Sequence, residues 1–136
     1  GREHTGLEVK EWAMRAEELG CGEIIVTSVD KEGTGKGFDR QLTSIVSSSV
    51  SVPVIAHGGA GKVEDLEEIF KSNIVSAVSL SSILHYDKLE TFKNNLNQDS
   101  EGNFDFLNSG RIIKNLSTIS ISELKKKLIG KDIICR

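Results

Sequence analysis

Three short stretches of the sequence carry residue types that could bind or convert a ligand. The first, residues 27–37, combines the carboxylates of Asp30 and Glu32 with three glycines. Carboxylates can hold hydroxyl groups or transfer protons, and glycines allow a backbone to approach a ligand closely. A polar, flexible loop without a ligand has the same composition, so the spacing alone leaves function and simple loop structure equally favoured.

The second stretch, residues 56–62, places glycines between an apolar run and an amphipathic run. Such a turn before a helix exposes backbone N–H groups, which together with the helix dipole form an anion site. The spacing matches neither the Walker loop nor the dinucleotide-binding fingerprint. A tight turn that needs small residues is the alternative, but the position after a strand favours phosphate binding. His57 could touch substrate there, although a single histidine beside glycines more often packs or forms a hydrogen bond.

The third stretch, Ser79-Leu80-Ser81-Ser82, supplies hydroxyl and amide groups that could complete the same anion pocket. A serine run alone is a weak signal. His4 and His85 are expected to be structural or on the surface. No cluster of histidine, cysteine and carboxylate has metal-ligand spacing, and no Ser-His-Asp arrangement can be argued. We therefore expect neither a metal ion nor another cofactor.

The elements that must position these stretches alternate along the chain. Apolar, β-branched runs predict strands at residues 23–29, 52–56 and 74–80. Helices are predicted over residues 5–19, from a cap at Asp39, after Gly61, and over residues 88–96. In the first helix Thr5 and Glu8 have the spacing of a capping box, and apolar side chains including Trp12 and Leu19 share one face. Continuous apolar strands that alternate with amphipathic helices indicate parallel βα units covered on both faces.

The sequence changes character after the fourth predicted helix. Residues 97–118 are mostly Asn, Asp, Ser and Gly with a few aromatic residues, and we interpret them as a polar insertion within one domain of residues 1–136. Ser120 and Glu123 form a second capping box that opens a last helix, with Leu124 and Leu128 facing inward.

Composition limits the classes of function. The 136 residues are 38% hydrophobic and 27% charged, which is typical of one soluble globular domain. A net charge of −3 argues against a nucleic-acid partner, and no apolar run approaches the roughly 18 residues of a membrane span. No leader is recognisable, and Cys21 and Cys135 have no partners at metal or redox spacing, so a cytoplasmic protein is expected.

Several of these stretches together closely resemble the cyclase subunit of imidazole glycerol phosphate synthase, a (β/α)8 barrel of histidine biosynthesis. The resemblance is carried by residues 1–7 (GREHTGL), 22–30 (GEIIVTSVD), 33–34 (GT) and 53–62 (PVIAHGGAGK). It covers about residues 1–86 and resumes over about residues 121–136. It implies that the chain is the C-terminal half of a TIM barrel: helix five, then strands six to eight with their helices.

The resemblance also implies a reaction. A family enzyme takes ammonia from a glutaminase partner and adds it to a phosphoribulosyl-formimino-carboxamide ribotide, a phosphorylated small molecule. The products are imidazole glycerol phosphate and a carboxamide ribotide. The two acid/base aspartates of the family lie on strands one and five, outside this sequence, so no catalytic residue is expected in this chain.

Positions carry over residue by residue. One substrate phosphate would be held by Gly58, Gly59, Ser81 and Ser82. The substrate-facing loop after strand six would contain Asp30, Gly33 and Thr34. The charged residue at the barrel bottom, where ammonia enters, would be Glu23.

The chain departs from the family pattern at three places. The usual Asp-Arg-Asp-Gly-Thr is here Asp30-Lys31-Glu32-Gly33-Thr34, and the usual serine before the double glycine is His57. The segment over about residues 87–118 is also longer than the family normally has. These departures equally fit a paralogue that supplies ammonia for amidino-sugar synthesis in surface polysaccharide. A third possibility is a phosphate-binding half-barrel without catalysis.

A half-barrel has a physical consequence. Three or four parallel strands cannot close a barrel, which needs about eight. The strand edges and the apolar inner face would stay uncovered, and both promote association. We therefore expect the chain to self-associate and to show no cyclase turnover by itself.

Overall fold

A computed structural model describes residues 3–92 and 115–135, which form helices and a parallel sheet in alternation. In chain order the elements are α1 Val9–Glu18, β1 Ile24–Thr27, α2 Arg40–Ser47, β2 Val54–His57, α3 Val63–Lys71, β3 Ala77–Ser79, α4 Ser82–Phe92 and α5 Ile121–Ile129. The predicted α/β class is confirmed. The longest described helix, α4, has 11 residues, and within residues 3–92 and 115–135 no helix is long and apolar enough to cross a membrane.

The sheet has the order β1-β2-β3, so neighbours in the chain are neighbours in space. Both strand pairs are parallel, as the sequence predicts. The register places Thr27 beside His57 and His57 beside Ser79. These three residues therefore lie side by side at the carboxyl edge of the sheet, where the polar loops begin.

The strands are shorter than predicted. For residues 74–80 the structure has only Ala77–Ser79 as a strand. Ala77 pairs with Ile55 and the amide of Ser76 donates to the carbonyl of Val54, the first residue of β2. In this register, residues 74 and 75 lie opposite residues that precede β2, so they have no strand partner on β2.

Two apolar clusters hold the described elements together. Ala13, Val46, Val26 and Val54 join α1 and α2 to one face of β1 and β2. A larger cluster joins β2, α3, α4 and α5, with Leu66, Ile69 and Ile83 almost completely buried. Val54 and Ala56 lie on the same face of β2, and Val54 belongs to the first cluster whereas Ala56 belongs to the second.

The opposite face of β1 is open. Ile25 lies between Ile24 and Val26, which face the helices, and its own side chain is 60% exposed on the other face. The prediction that the strands are covered on both faces is therefore wrong for β1 in the described part of the chain. The helices that pack on this strand all lie on the side of Val26, so a cover for Ile25 would have to come from elsewhere.

The first helix differs from its prediction. It begins at Val9 with Glu8 as its N-cap residue, and no side chain caps it. The Thr5 hydroxyl accepts a hydrogen bond from the amide of Leu7 at 3.3 Å, so it is committed to a turn before the helix. The predicted capping box is wrong. The predicted inward face is also incomplete, because Trp12 is 58% exposed and Leu19 is 69% exposed.

Two other predicted helix caps are confirmed, and one helix begins earlier than predicted. Asp39 caps α2, as predicted, by accepting from the amide of Leu42 at 3.0 Å. The predicted cap of α5 is also confirmed, since Ser120 accepts from the amide of Glu123. The helix predicted over residues 88–96 begins earlier, at Ser82, because the Ser81 carbonyl accepts the amides of Leu84 and His85 and starts a turn there.

The predicted insertion over residues 97–118 lies mostly outside the described residues, and so do its aromatic residues. Residues 115–118 are described, and they return the chain to the sheet edge. The amide of Ser117 donates to the carbonyl of Gly61 at 2.7 Å, and that of Ile119 donates to the carbonyl of Ile83. The assignment of one domain with a polar insertion stays a prediction.

Candidate functional site

A pocket opens at the carboxyl edge of the three strands, with about 370 Å³ of empty space, part of which is open solvent. Five of the residues predicted to bind substrate form part of its wall: Gly33, Gly58, Gly59, Ser81 and Ser82. The wall also includes Glu32 and His57, whose chemistry drew attention in the sequence. The first, second and third stretches thus meet in one place, as the strand order requires.

The glycine turn after β2 depends on glycine for two reasons. Gly58 and Gly59 have positive φ angles, 94° and 99°, which side chains of L-residues rarely tolerate. A Cβ on Gly59 would overlap the carbonyl oxygen of Gly37, whose own amide donates to the carbonyl of Gly59 at 2.8 Å. The turn and the loop after β1 are therefore joined by their backbones.

Several backbone amides at this edge lack a protein acceptor. Within residues 3–92 and 115–135, the N–H groups of Gly58, Gly59, Ser81 and Ser82 donate to no protein acceptor. Ser82 is the first residue of α4, so its amide lies at the positive end of that helix. Amides with this freedom, gathered around one pocket, are what an anion such as phosphate requires.

The start of α3 is closed to a ligand, contrary to the expectation that the glycine turn and the following helix act together. One carboxylate oxygen of Asp65 accepts from the amides of Gly61, at 2.8 Å, and Lys62, at 3.1 Å. Asp65 is 9% exposed. Sequence analysis missed this residue; an acidic side chain three residues into a helix, after a glycine turn, is the signal that could have indicated it.

The loop after β1 is shaped by Ser28, which is 4% exposed. The Ser28 hydroxyl donates to Asp39 at 3.0 Å, and its amide donates to the carbonyl of His57 at 3.3 Å. The carbonyl of Ser28 accepts from the amides of Lys31 and Glu32. This turn brings the side chain of Glu32 back to the glycine turn, so the helix cap at Asp39 also fixes one wall of the pocket.

Glu32 and His57 face each other across the pocket edge. The Nε2 atom of His57 lies 3.8 Å from a carboxylate oxygen of Glu32, and Nδ1 lies 3.0 Å from the hydroxyl oxygen of Thr27. The side chain of His57 is 27% exposed and that of Glu32 is 47% exposed. When Thr27 donates to Nδ1, the proton of the imidazole sits on Nε2 and points toward the carboxylate.

Three predicted site residues lie outside the pocket wall. Asp30 is exposed on the loop after β1. The hydroxyl of Thr34 donates to the carbonyl of Lys31 at 2.7 Å and accepts from the amide of Lys36, so it supports the loop from within. Glu23 is exposed immediately before β1, at the opposite edge of the sheet.

Leu116 was missed by the sequence analysis and lies in the pocket wall. It belongs to the segment that returns to the sheet before α5. The main chain of this segment packs closely on the glycines: a Cβ on Gly35 would lie 2.7 Å from the carbonyl oxygen of Asn115. A leucine at the end of a long polar stretch carries no pattern that could have indicated this contact.

Comparison with known proteins identifies relatives for most of the chain. Residues 1–90 match the family described as histidine biosynthesis protein. Proteins named imidazole glycerol phosphate synthase subunit HisF are 53% identical over 89 residues in Prochlorococcus marinus subsp. pastoris and 51% identical over 87 residues in Nitrosopumilus maritimus. A third, from Clostridium beijerinckii, is 51% identical over 89 residues.

The alignments cover a larger share of this chain than of each relative. The three alignments cover 64–65% of this chain but only 33–35% of each relative. The chain therefore spans about a third of the length of the curated relatives it matches. The family match ends at residue 90, so the expected resumption over residues 121–136 stays a prediction.

Proposed function

Because the chain belongs to the histidine biosynthesis protein family, we propose that it is the C-terminal half of a (β/α)8 barrel of the cyclase type, the synthase subunit of imidazole glycerol phosphate synthase. The high identity to proteins named HisF and the parallel order of β1, β2 and β3 support this proposal. In that barrel, α1 corresponds to helix five and the three strands to strands six, seven and eight.

One observation carries the functional part of the proposal. The residues of the glycine turn and of the start of α4 whose amides have no protein acceptor line one pocket at the carboxyl edge of the sheet. In barrels of this class the loops after the last two strands commonly bind a phosphate between them. Gly58 and Gly59 on one side, and Ser81 and Ser82 on the other, hold one phosphate of the substrate.

The reaction converts a phosphoribulosyl-formimino-carboxamide ribotide, with ammonia, into imidazole glycerol phosphate and a carboxamide ribotide. This chain's contribution is to position the substrate: amides fixed by the fold bind the phosphate without reorganising, so the reacting atoms are held in place. Proton transfer belongs to aspartates on the strands that this chain does not contain. The chain alone gives no turnover.

The remaining assigned residues act at the two ends of the barrel. Asp30, Gly33 and Thr34 belong to the loop that faces the substrate. At the opposite edge, Glu23 lies where ammonia from the glutaminase partner enters. The exposed position of Glu23 next to the first residue of β1 is compatible with a role at such an entrance.

A substitution at the start of α4 tests phosphate binding directly. Ser82→Pro removes one backbone N–H group, and proline is well accepted at the first position of a helix. We expect inorganic phosphate to bind about tenfold more weakly, because a hydrogen bond to a charged group is lost. The matched control is Ser82→Ala, which removes the hydroxyl and keeps the amide, and should bind nearly as the unchanged chain does.

Calorimetric titration with inorganic phosphate measures both variants, and circular dichroism verifies that they fold. Amide signals of Gly58, Gly59 and Ser82 should also shift during a phosphate titration followed by NMR. Equal phosphate affinity in Ser82→Pro and the unchanged chain, or no shift of these three signals, would contradict the proposed site.

A second candidate is the paralogue that supplies ammonia for amidino-sugar synthesis in surface polysaccharide. It is favoured by one observation: the family departures at positions 32 and 57 meet in the pocket, at 3.8 Å, where substrate would bind. Neighbouring genes for histidine or for polysaccharide synthesis distinguish the two. A non-catalytic phosphate-binding half-barrel would instead require that no upstream sequence encodes the first five strands.

A further inference from the structure

Two ionisable side chains of the pocket wall, Glu32 and His57, form one pair in space. Glu32 follows β1 and His57 ends β2, yet the imidazole Nε2 lies 3.8 Å from the carboxylate. A hydrogen bond with the Thr27 hydroxyl, at 3.0 Å, orients the ring through its other nitrogen.

The pair lies directly beside the amides assigned to the phosphate. A Cβ on Gly58 would be 2.9 Å from the carboxylate oxygen of Glu32 that faces His57. An anion held by the amides of Gly58 and Gly59 would therefore share the pocket with a negative charge. Like charges a few ångströms apart repel unless a positive charge offsets them.

Lys31 packs beside Gly59 outside the pocket wall, with its Cβ 2.9 Å from a Cβ placed on that glycine, and His57 is the basic group within the wall. The other side chains that face His57 are neutral: Thr27 from β1, Ser79 from β3, and the serines at the start of α4. In the described part of the chain the pocket wall contains no lysine or arginine, and Glu32 is its acidic member. Asp30 and Lys31 belong to the same loop as Glu32 but lie outside the wall.

We infer that the Glu32–His57 pair couples anion binding at this pocket to the uptake of a proton by His57. The inference rests on the proposed function, since it concerns the same phosphate site. A proton from solvent adds to the imidazole, which then carries a positive charge between the carboxylate and the bound anion. Neutral imidazole leaves Glu32 uncompensated and weakens binding. Anion affinity therefore falls as pH rises through the range in which histidine changes charge.

Sulfate is the suitable probe, because it stays doubly charged across this range whereas a phosphate ester takes up a proton of its own near pH 6. The full chain is titrated calorimetrically at about pH 5.5 and about pH 8.5, on either side of histidine titration. We expect sulfate to bind about tenfold more tightly at the lower pH, a coupling of ordinary size. Titrations near neutral pH, in buffers of different ionisation enthalpy, should show net proton uptake.

Two variants assign the effect to the pair. His57→Gln keeps a polar side chain that cannot take up a proton, and its sulfate affinity should change less than about twofold between the two pH values. Glu32→Gln removes the repelling carboxylate and should bind sulfate more tightly than the unchanged chain at the higher pH. If Glu32 had only a structural role, Glu32→Gln would weaken binding at both pH values.

The matched control is His85→Gln on α4, an exposed histidine outside the pocket wall. It should keep the full pH dependence and the proton uptake. The same pH dependence in His57→Gln as in the unchanged chain would overturn the inference while leaving the anion site intact. Absence of sulfate binding at both pH values in the folded, unchanged chain would overturn the anion site, and the inference with it.

Discussion

Gly59 is the residue at which the pocket allows least change. Its φ of 99° disfavours any other residue, and the main chain of Gly37 passes over its Cα. Gly33, in the same pocket wall, also has a positive φ, 72°, but a Cβ there would meet nothing within 4 Å. Comparing substitutions at the two glycines therefore distinguishes the energetic cost of an unusual backbone conformation from that of a steric overlap.

Alanine substitutions at these glycines give a prediction at this scale. Gly33→Ala should lower the free energy of unfolding by about 1 kcal/mol, the usual cost of a left-handed conformation for a residue with a Cβ. Gly59→Ala should lower it by about 3 kcal/mol or more, because the backbone of one loop must also move. Urea unfolding of both variants measures the difference, and equal losses would show that the overlap relaxes without cost.

At the scale of helices and strands, caps formed by a residue that precedes the helix were predicted, whereas the cap formed by a residue inside the first turn was missed. Asp39 and Ser120 precede the apolar periodicity of their helices, where a polar side chain is expected to accept from the first turn. Asp65 lies inside the first turn of α3 and accepts from two amides that precede it, so the signal for this cap lies three residues into the helix and not before it. Thr5 had the correct spacing but bonds within a preceding turn.

Periodicity also identified apolar faces without showing what covers them. Trp12 and Leu19 share the spacing of Ala13, but only Ala13 is buried, because α2 and the sheet lie on its side alone. The parallel strands were predictable because their apolar character is continuous and their connections contain helices. The parallel order also predicted that the three loops would lie at one edge of the sheet. The contacts of Leu116 could not be predicted, because they depend on a segment with no regular pattern.

The N-terminus of α5 gives a prediction about pH. Hydrogen bonds from Ser120, first from its hydroxyl and then from its backbone, lower the pKa of Glu123. Desolvation opposes them, and the nearby Lys127 and Lys126 lower the pKa by smaller amounts. A pKa that is lower in the folded chain than in the unfolded chain stabilises the fold above the unfolded value, and this contribution disappears as pH falls through the folded value. We expect the stability of the folded chain to decrease below about pH 4 in part for this reason.

The measurement is an NMR titration of the Glu123 carboxyl group, with urea unfolding at neutral and acidic pH. Ser120→Ala should raise the pKa of Glu123 toward the usual glutamate range. Glu123→Gln should lose less stability on acidification than the unchanged chain. An unchanged pKa in Ser120→Ala would show that the lysines, and not the cap, control this carboxylate.

At the scale of the whole molecule, one face of β1 is uncovered by residues 3–92 and 115–135. Ile25 is 60% exposed on β1, and Trp12 and Leu19 are exposed on the helix that precedes this strand. Exposed apolar side chains on a strand at the sheet edge favour association with another chain. In the complete barrel that we propose, further strands would cover this surface.

A prediction at this scale concerns self-association. The unchanged 136-residue chain should sediment as a dimer or larger species, and Ile25→Lys should shift it toward the monomer, because a charge on the apolar face opposes burial. The matched control is Ile134→Lys near the C-terminus, where the isoleucine is 92% exposed and outside the sheet. Analytical ultracentrifugation compares the three proteins, and a monomeric unchanged chain would contradict the expectation.

The backbone contact between Gly37 and Gly59 has a consequence for how such a protein can diversify. Because main-chain atoms form it, this contact between the two loops does not depend on which side chains project into the pocket. Single codon changes could exchange the chemistry of the pocket, as at positions 32 and 57, while the scaffold beneath persists. A lineage could in this way acquire new substrate preferences without first passing through an unfolded ancestor.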